Sequence, residues 1–236
     1  MKFPQCLAAL ALCAALPATA ADFGSIGALP QGDFRSLSED LGAAFSYKGV
    51  TPATPLGLPG LDIGVEVTST RLEHASIFRL AGAGGPSELV IPKLHVHKGL
   101  WGRLDIGAFI GGASDVDATV YGAEIRYALL DDGIATPALG IRLSGTKAAG
   151  VGDLKIATGA LDLTVSKKFT LFTPYAGAGT VRVQSSVRGS GLDEESINRG
   201  RVFAGVNVNL LAANLAFEAE KMGDNTSLSA KLGFRF

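Results

Sequence analysis

The stretch SLSAKLGFRF, residues 227–236, decides the reading of this chain. Leu228, Ala230, Leu232, Phe234 and Phe236 share one parity, and Ser227, Ser229, Lys231, Gly233 and Arg235 share the other. A strand sends successive side chains to opposite faces, so this is a ribbon with one apolar and one polar face. An antiparallel sheet over a soluble core gives the same alternation. The aromatic at the last position, with no polar tail behind it, favours a different setting.

The ending resembles the terminal strand of Gram-negative outer-membrane β-barrels. The resemblance implies that Phe234 and Phe236 are the signal read by the barrel assembly machinery. It also implies that outer-membrane lipid and lipopolysaccharide surround the folded wall. The opposite end of the sequence agrees with export. Lys2 is the only charge in the first twenty residues, Leu7 to Leu16 is apolar, and Pro17 breaks the run. Ala18-Thr19-Ala20 then forms a small-x-small site, so residues 1–20 read as a cleaved signal peptide. A lipoprotein reading through Cys13 is disfavoured by the bulk of Leu12. Both cysteines, Cys6 and Cys13, lie in this leader, which leaves no thiol chemistry after cleavage.

Composition sets limits. Mean hydropathy is +0.30, yet past the leader no apolar run approaches the ~18 residues of a membrane helix. Apolar residues spread in alternation suit a barrel that wears them outward. A formal net charge of −1 offers no basic field for nucleic acid. No linker interrupts the rhythm, so residues 61–236 form one transmembrane barrel domain.

Counting alternating segments upstream from the end gives an all-β, antiparallel up-and-down barrel of ten strands beginning at Leu61, with twelve as the alternative. The connections near residues 100, 133, 169 and 212 read as tight. Those near 80, 190 and 149 read as longer and polar, which is the periplasmic and extracellular asymmetry of such barrels. Trp101, Phe169 and Phe172 fall beside tight turns, where an aromatic girdle sits. Between Leu154 and Lys167 the apolar parity switches, which suggests a bulge. Residues 21–60 read as a periplasmic segment or lumen plug. Ser36-x-x-Glu39 has capping-box spacing ahead of Leu37, Leu41 and Ala44, and Gly49 to Gly60 reads as loop. Leu41 to Tyr47 also alternates, which leaves room for a further strand.

The polar parity assigns Lys93, His95, His97, Asp105, Glu124, Arg126, Arg142, Arg201, Asn207, Glu218 and Lys231 to the lumen. If the neighbouring turns centre on Leu100 and Gly133, His95 lies opposite Asp105 and Glu124 opposite Arg142. His95-x-His97 puts two imidazoles on one face, with His74 or Asp105 as a third metal ligand; lining of a polar lumen is the simpler reading, and no metal is assigned. The chain has only three histidines, His74, His95 and His97, to serve as base, and there is no Gly-x-Ser-x-Gly elbow, so no catalytic residues and no cofactor are assigned. Gly82-x-Gly84-Gly85 and Gly150-x-Gly152 lack the helix of a phosphate loop. Asp115-x-Asp117 and Asp193-Glu194-Glu195 read as solvated loop tips, with Ca²⁺ or lipopolysaccharide contact as the alternative.

Two functions remain open from sequence: a barrel with a side-chain-filled lumen in a structural or interaction role, or a narrow channel gated by the N-terminal segment. Replacing Phe234 and Phe236 with Ser is expected to block barrel insertion while leaving secretion intact. Each large lipid-facing side chain contributes roughly 1.5–3 kcal/mol. Outer-membrane fractionation with heat-modifiable gel mobility checks this, and a normal barrel yield from the double variant refutes the assembly role.

Overall fold

The computed structural model describes residues 23–236 apart from 114, 115 and 212; the expected signal peptide and Asp115 lie outside the described residues. Ten antiparallel strands close into a barrel in which each strand pairs with its sequence neighbours and the first pairs with the last. They are β1 (Leu61–Arg71), β2 (Glu88–Gly99), β3 (Leu104–Ala113), β4 (Ala118–Leu130), β5 (Ala138–Ala149), β6 (Leu154–Ser166), β7 (Phe172–Val187), β8 (Glu195–Leu210), β9 (Ala213–Met222) and β10 (Asn225–Arg235). The seam is held by ladder pairs such as Val65 with Leu232 and Glu66 with Lys231, so the alternation of the last strand is matched residue for residue by the first. Closure leaves no unpaired edge, the condition for strands in lipid.

Two helices accompany the wall: α1 (Gln31–Phe45) and the short α2 (Ala75–Leu80). Helix α1 starts at Gln31 after Pro30, one and a half turns earlier than the capping-box reading of Ser36. A proline just ahead of the first turn costs no intrahelical hydrogen bond, since the first four N–H groups have no partner there. Leu41 to Phe45 is helical, so the further strand is absent.

Connections at the rim where β1 begins and β10 ends, the terminal rim, span 100–103, 131–137, 167–171 and 211–212. At the opposite rim, the α1 rim, they span 72–87, 114–117, 150–153, 188–194 and 223–224. Only 72–87, which carries α2, is long, so the expected asymmetry of loop length is corrected. The strands continue into segments read as loop: β8 opens at Glu195, inside the acidic run assigned to a loop tip. The tight turn after β2 uses Gly102 and Arg103, both in the left-handed region at φ 67° and 70°. Glycine adopts that conformation without cost.

These turns also shift the two expected registers. Gly99 pairs with Asp105, so His95 lies opposite Phe109; Glu124 lies opposite Ser144, and Arg126 opposite Arg142. Both shifts are even, so every side chain keeps its face. The first arises because the turn centres on Gly102 rather than Leu100. The second arises because the 131–137 connection is not the tight turn expected at Gly133 and the ladder slips between Ala128 and Leu130.

The expected bulge in β6 is absent: its ladders to β5 and β7 run without a break. What inverts is chemistry. Toward the α1 rim, β6 points Leu154 and Ile156 inward and Lys155 outward; toward the terminal rim it points Asp162 and Thr164 inward and Leu161, Leu163 and Val165 outward. The same division runs round the wall. Leu89, Ile91, Phe109, Val120, Val181, Val183, Ile197 and Met222 face inward near the α1 rim and pack against Phe34, Leu37, Leu41 and Phe45 of α1. Ile63, Val65, Leu94, Val96, Ile106, Ile125, Ile141, Leu143 and Leu232 face outward below them and are exposed. Trp101, Phe169, Phe172 and Phe236 ring the terminal rim, as an interfacial aromatic belt does.

The barrel therefore has an apolar plug in one half and a lipid-facing apolar band on the outside of the other. Arg in place of Ile125 is expected to cost about 2–4 kcal/mol in lipid vesicles. Leu37→Ala, which touches no lipid, is expected to cost about 2–5 kcal/mol through the cavity it leaves. Urea titrations of vesicle-refolded protein measure both; a Leu37→Ala cost under about 1 kcal/mol shows that α1 is not part of the core.

Candidate functional site: the plugged lumen

From Ser46 to Leu56 the chain leaves α1 and runs down the inside of the wall toward the terminal rim, buried along most of its length. It has no regular hydrogen-bonding partner strand, so its polar groups are met one by one by wall side chains. Arg201 donates Nη1 to the Tyr47 carbonyl at 2.8 Å, and Arg126 donates Nη1 to Thr51 Oγ1 and the Pro52 carbonyl, both at 3.1 Å. The Leu56 amide donates to both oxygens of Asp105 at 3.1 and 3.2 Å. Lys48, fully buried, places its Nζ 2.6 Å from Glu220 Oε1 and 2.7 Å from the Ala43 carbonyl in the last turn of α1. Gly49 passes so close to the Arg142 guanidinium that a Cβ there has no room.

Val50 lies in the left-handed region at φ 45° and is fully buried. A β-branched residue is strained there. The conformation is held by ties on either side, Lys48 to Glu220 and Thr51 to Arg126.

Beneath the plug lies a connected set of wall charges. Asp162 sits between Arg142, whose Nε is 2.9 Å from Oδ2, and Arg201, whose Nε is 2.6 Å from Oδ1. Arg142 reaches Glu124 at 3.9 Å, Arg126 is 3.2 Å from Glu124 and 2.8 Å from Asp105, and Arg201 is 3.5 Å from Glu220. A second group joins Glu66 to Lys93 and to His95, each at 2.8 Å. A third joins Asp62 to Lys231 at 3.1 Å and to Arg235 at 2.5 Å. Burying so many charges is tolerable only because they are mutually paired.

The residues assigned to the lumen from sequence, Lys93, His95, His97, Asp105, Glu124, Arg126, Arg142, Arg201, Asn207, Glu218 and Lys231, are all buried. Asn207 exchanges amide hydrogen bonds at 2.9 Å with Asn214 near the terminal rim. Glu218 lies inside with both oxygens and the neighbouring Tyr175 hydroxyl lacking a hydrogen-bond partner among the described residues. His95 is 2.8 Å from Glu66 rather than beside Asp105, and stacks on Phe109 at 5.2 Å between centroids. His97 stands between Glu124 and the Tyr47 hydroxyl, each at 3.3 Å. His74 is at the α1 rim, 3.2 Å from Asp40, away from the pair it was considered to complete.

Sequence reading missed Lys48, Tyr47, Asp162 and Glu220. Asp162 was hidden by the change of parity in β6. Lys48 and Tyr47 sit in a segment whose periodicity does not reveal which wall it meets.

No family model matches the chain, and the search of curated proteins finds no match. Among solved structures the chain is similar to the translocator domain of autotransporter NalP from Neisseria meningitidis, at 13% identity and TM-score 0.45, covering 87% of this chain and 95% of that one. It is similar to the N-terminal β-barrel domain of Pseudomonas aeruginosa OprF, at 14% identity and TM-score 0.38, covering 74% and 97%. It is also similar to the outer membrane protease OmpT from Escherichia coli, at 12% identity and TM-score 0.39, covering 75% and 95%. Likeness at this level transfers no function.

The Lys48–Glu220 pair is the tie that most directly joins plug to wall. Lys48→Met removes the nearer of the two cations on buried Glu220, leaving Arg201 at 3.5 Å, and is expected to lower stability by about 2–4 kcal/mol, with much of the loss recovered in Lys48→Met/Glu220→Gln. Equal urea midpoints for wild type and Lys48→Met in vesicles contradict the tie.

Proposed function

We propose that this chain is an outer-membrane barrel that does not conduct: a rigid, plugged wall whose role is structural or lies in presenting its α1 rim to a partner. The observation that supports this reading is the double seal of the lumen. Phe34, Leu37, Leu41 and Phe45 of α1 fill one half with apolar side chains, at roughly 1.5–3 kcal/mol of burial each. The paired charges and residues 46–56 fill the other half. Sixteen- to eighteen-stranded porins leave an aqueous channel, whereas this wall has ten strands around a filled interior. The reading includes export through the signal peptide and assembly through the terminal strand, and it includes no catalytic step. His95 and His97, the bases nearest the lumen centre, are engaged by Glu66 and Glu124 beneath the plug.

The alternative is a narrow channel gated by the N-terminal segment, and one feature favours it. Residues 46–56 are held by polar ties to Glu220, Arg126 and Asp105, which water can replace, whereas α1 is held by apolar burial that water cannot. Planar-bilayer recording of the refolded full chain separates the two. The plugged barrel gives no steady current across the voltage range; a reproducible ion-selective step establishes the channel and overturns the proposal.

A further inference from the structure

The outer wall of β5, β6 and β7 differs from the rest of the ring. Below, Leu143, Leu161 and Leu163 face outward and are exposed. Above them, Lys147, Lys155 and Arg182 point outward on the same face. Lys147 pairs with Ala157 on β6, and Arg182 pairs with Gly159 on the other side of the same strand. The two cations thus flank β6 at a separation of about 10 Å, twice the spacing of neighbouring strands. Lys155 stands two residues beyond Ala157 toward the α1 rim.

The floor between them is nearly bare. A Cβ on Gly159 would meet nothing within 4 Å, and one on Gly145 nothing nearer than 3.5 Å. Next to this floor, toward the α1 rim, is a depression in the wall lined by Tyr121, Lys147, Lys155, Ala157, Arg182 and Gln184, with Glu194 and the Arg35-paired Glu195 at its upper edge. Among the described residues, Lys147 and Lys155 make no side-chain hydrogen bond or ion pair. Arg182 uses only its Nε, on Ser196 Oγ at 3.1 Å. Glu194 is the one acid at the upper edge with no ion pair among the described residues, so the site keeps a net positive charge.

The level of this depression is informative. Val165 to Lys155 along β6 corresponds to about 25 Å of height, at ~3.3 Å per residue and a tilt of about 40°. An outward apolar band is about 25 Å tall. The three cations therefore stand where the hydrocarbon ends and headgroups begin, with leucines below them for acyl chains. Elsewhere on the ring at that level Arg71 on β1 and Lys221 on β9 also point outward, on either side of Thr226 of β10, but Arg71 stands opposite the carboxylate-bearing Glu88 of β2, so no third cation joins them.

We propose that Lys147, Lys155 and Arg182 form a binding site on the outer wall for the phosphate groups of a membrane glycolipid, the phosphorylated lipopolysaccharide anchor of the outer leaflet. The assignment rests on the outer-membrane reading above, with the α1 rim facing outward. Arginine supplies a planar fork for a phosphate, and the two lysines act as point charges beside it. Gly145, Gly159 and Ala157 let the headgroup lie against the backbone.

The test uses the full chain refolded into phosphatidylcholine vesicles, as wild type and as K147Q/K155Q/R182Q. Each is titrated with purified lipid A, with dephosphorylated lipid A and with phosphatidylglycerol, and the thermal midpoint of heat-modifiable mobility is read. Lipid A is expected to raise the wild-type midpoint, dephosphorylated lipid A and phosphatidylglycerol to do much less, and the variant to bind lipid A about 10- to 100-fold more weakly. Equal responses of wild type and variant overturn the site. An equal wild-type response to phosphatidylglycerol overturns the glycolipid assignment in favour of plain surface charge. Matching midpoints of the two proteins in phosphatidylcholine alone, and rescue by K147R/K155R with Arg182 kept, separate binding from folding. Cell fractionation is read in parallel: a wild type absent from the outer membrane refutes the placement, whereas a wild type present there without a lipid A response refutes only the site.

Discussion

A ten-stranded wall encloses more volume than its own inward side chains fill, and the interior of this barrel answers to that constraint. Eight strands give an interior that side chains just occupy. Here the remaining space holds α1 and residues 46–56, and the manner of filling differs with depth. Near the α1 rim the filler is apolar and the wall behind it is apolar. Toward the terminal rim the filler is an irregular segment without a partner strand, and the wall supplies charged side chains long enough to reach it. Arg201, Arg126 and Asp105 each spend part of their bonding on plug backbone and part on the wall, Arg126 and Asp105 on each other and Arg201 on Asp162.

The division by depth follows from what lies outside. Where lipid covers the wall, outward positions are apolar, and the inward positions are left to polar residues. Where the wall rises to headgroups and water, outward positions are free to be polar, and apolar residues inside gain from burial as in a soluble protein. One strand can thus carry both patterns in sequence with no change of backbone. In β6 the two meet between Ala157 and Leu161.

That junction explains most of what was legible in the sequence and what was not. Strand number, closure and the facing of every polar residue assigned to the lumen could be read because each rests on parity, and parity survives any even shift of register. The Glu124–Arg142 proximity survived for the same reason, even though their ladder partners are Ser144 and Arg126. His95 was given the wrong carboxylate because its neighbour depends on turn centring, which Gly102 and Arg103 set by backbone conformation rather than by hydrophobic pattern. The inversion in β6 resembled a bulge because a one-residue insertion and a change of solvent leave the same trace in a string of letters. Residues 46–56 were illegible because a segment with no ladder partner has no period.

Charge shows that the plug is a structural member of the barrel. The buried acids of the wall are Asp62, Glu66, Asp105, Glu124, Asp162, Glu218 and Glu220. The cations facing them from the wall are Lys93, Arg126, Arg142, Arg201 and Lys231, with half-buried Arg235 at the terminal rim. The plug adds one cation to this set, Lys48, seated on Glu220. Asp40, the buried acid of α1, is met separately at the α1 rim by His74 and Asn225. An empty lumen would take from Glu220 its nearer cation, leaving only Arg201 at 3.5 Å, on top of exposing the apolar half that α1 covers. Both costs oppose departure of the segment, and they act at opposite ends of it: Phe34, Leu37 and Leu41 resist at the α1 rim, Lys48 resists where the charged half begins. Any opening of this barrel must then begin below Lys48, among residues 49–56, where the ties are hydrogen bonds to Arg126, Asp105 and Ser166 and none is an ion pair.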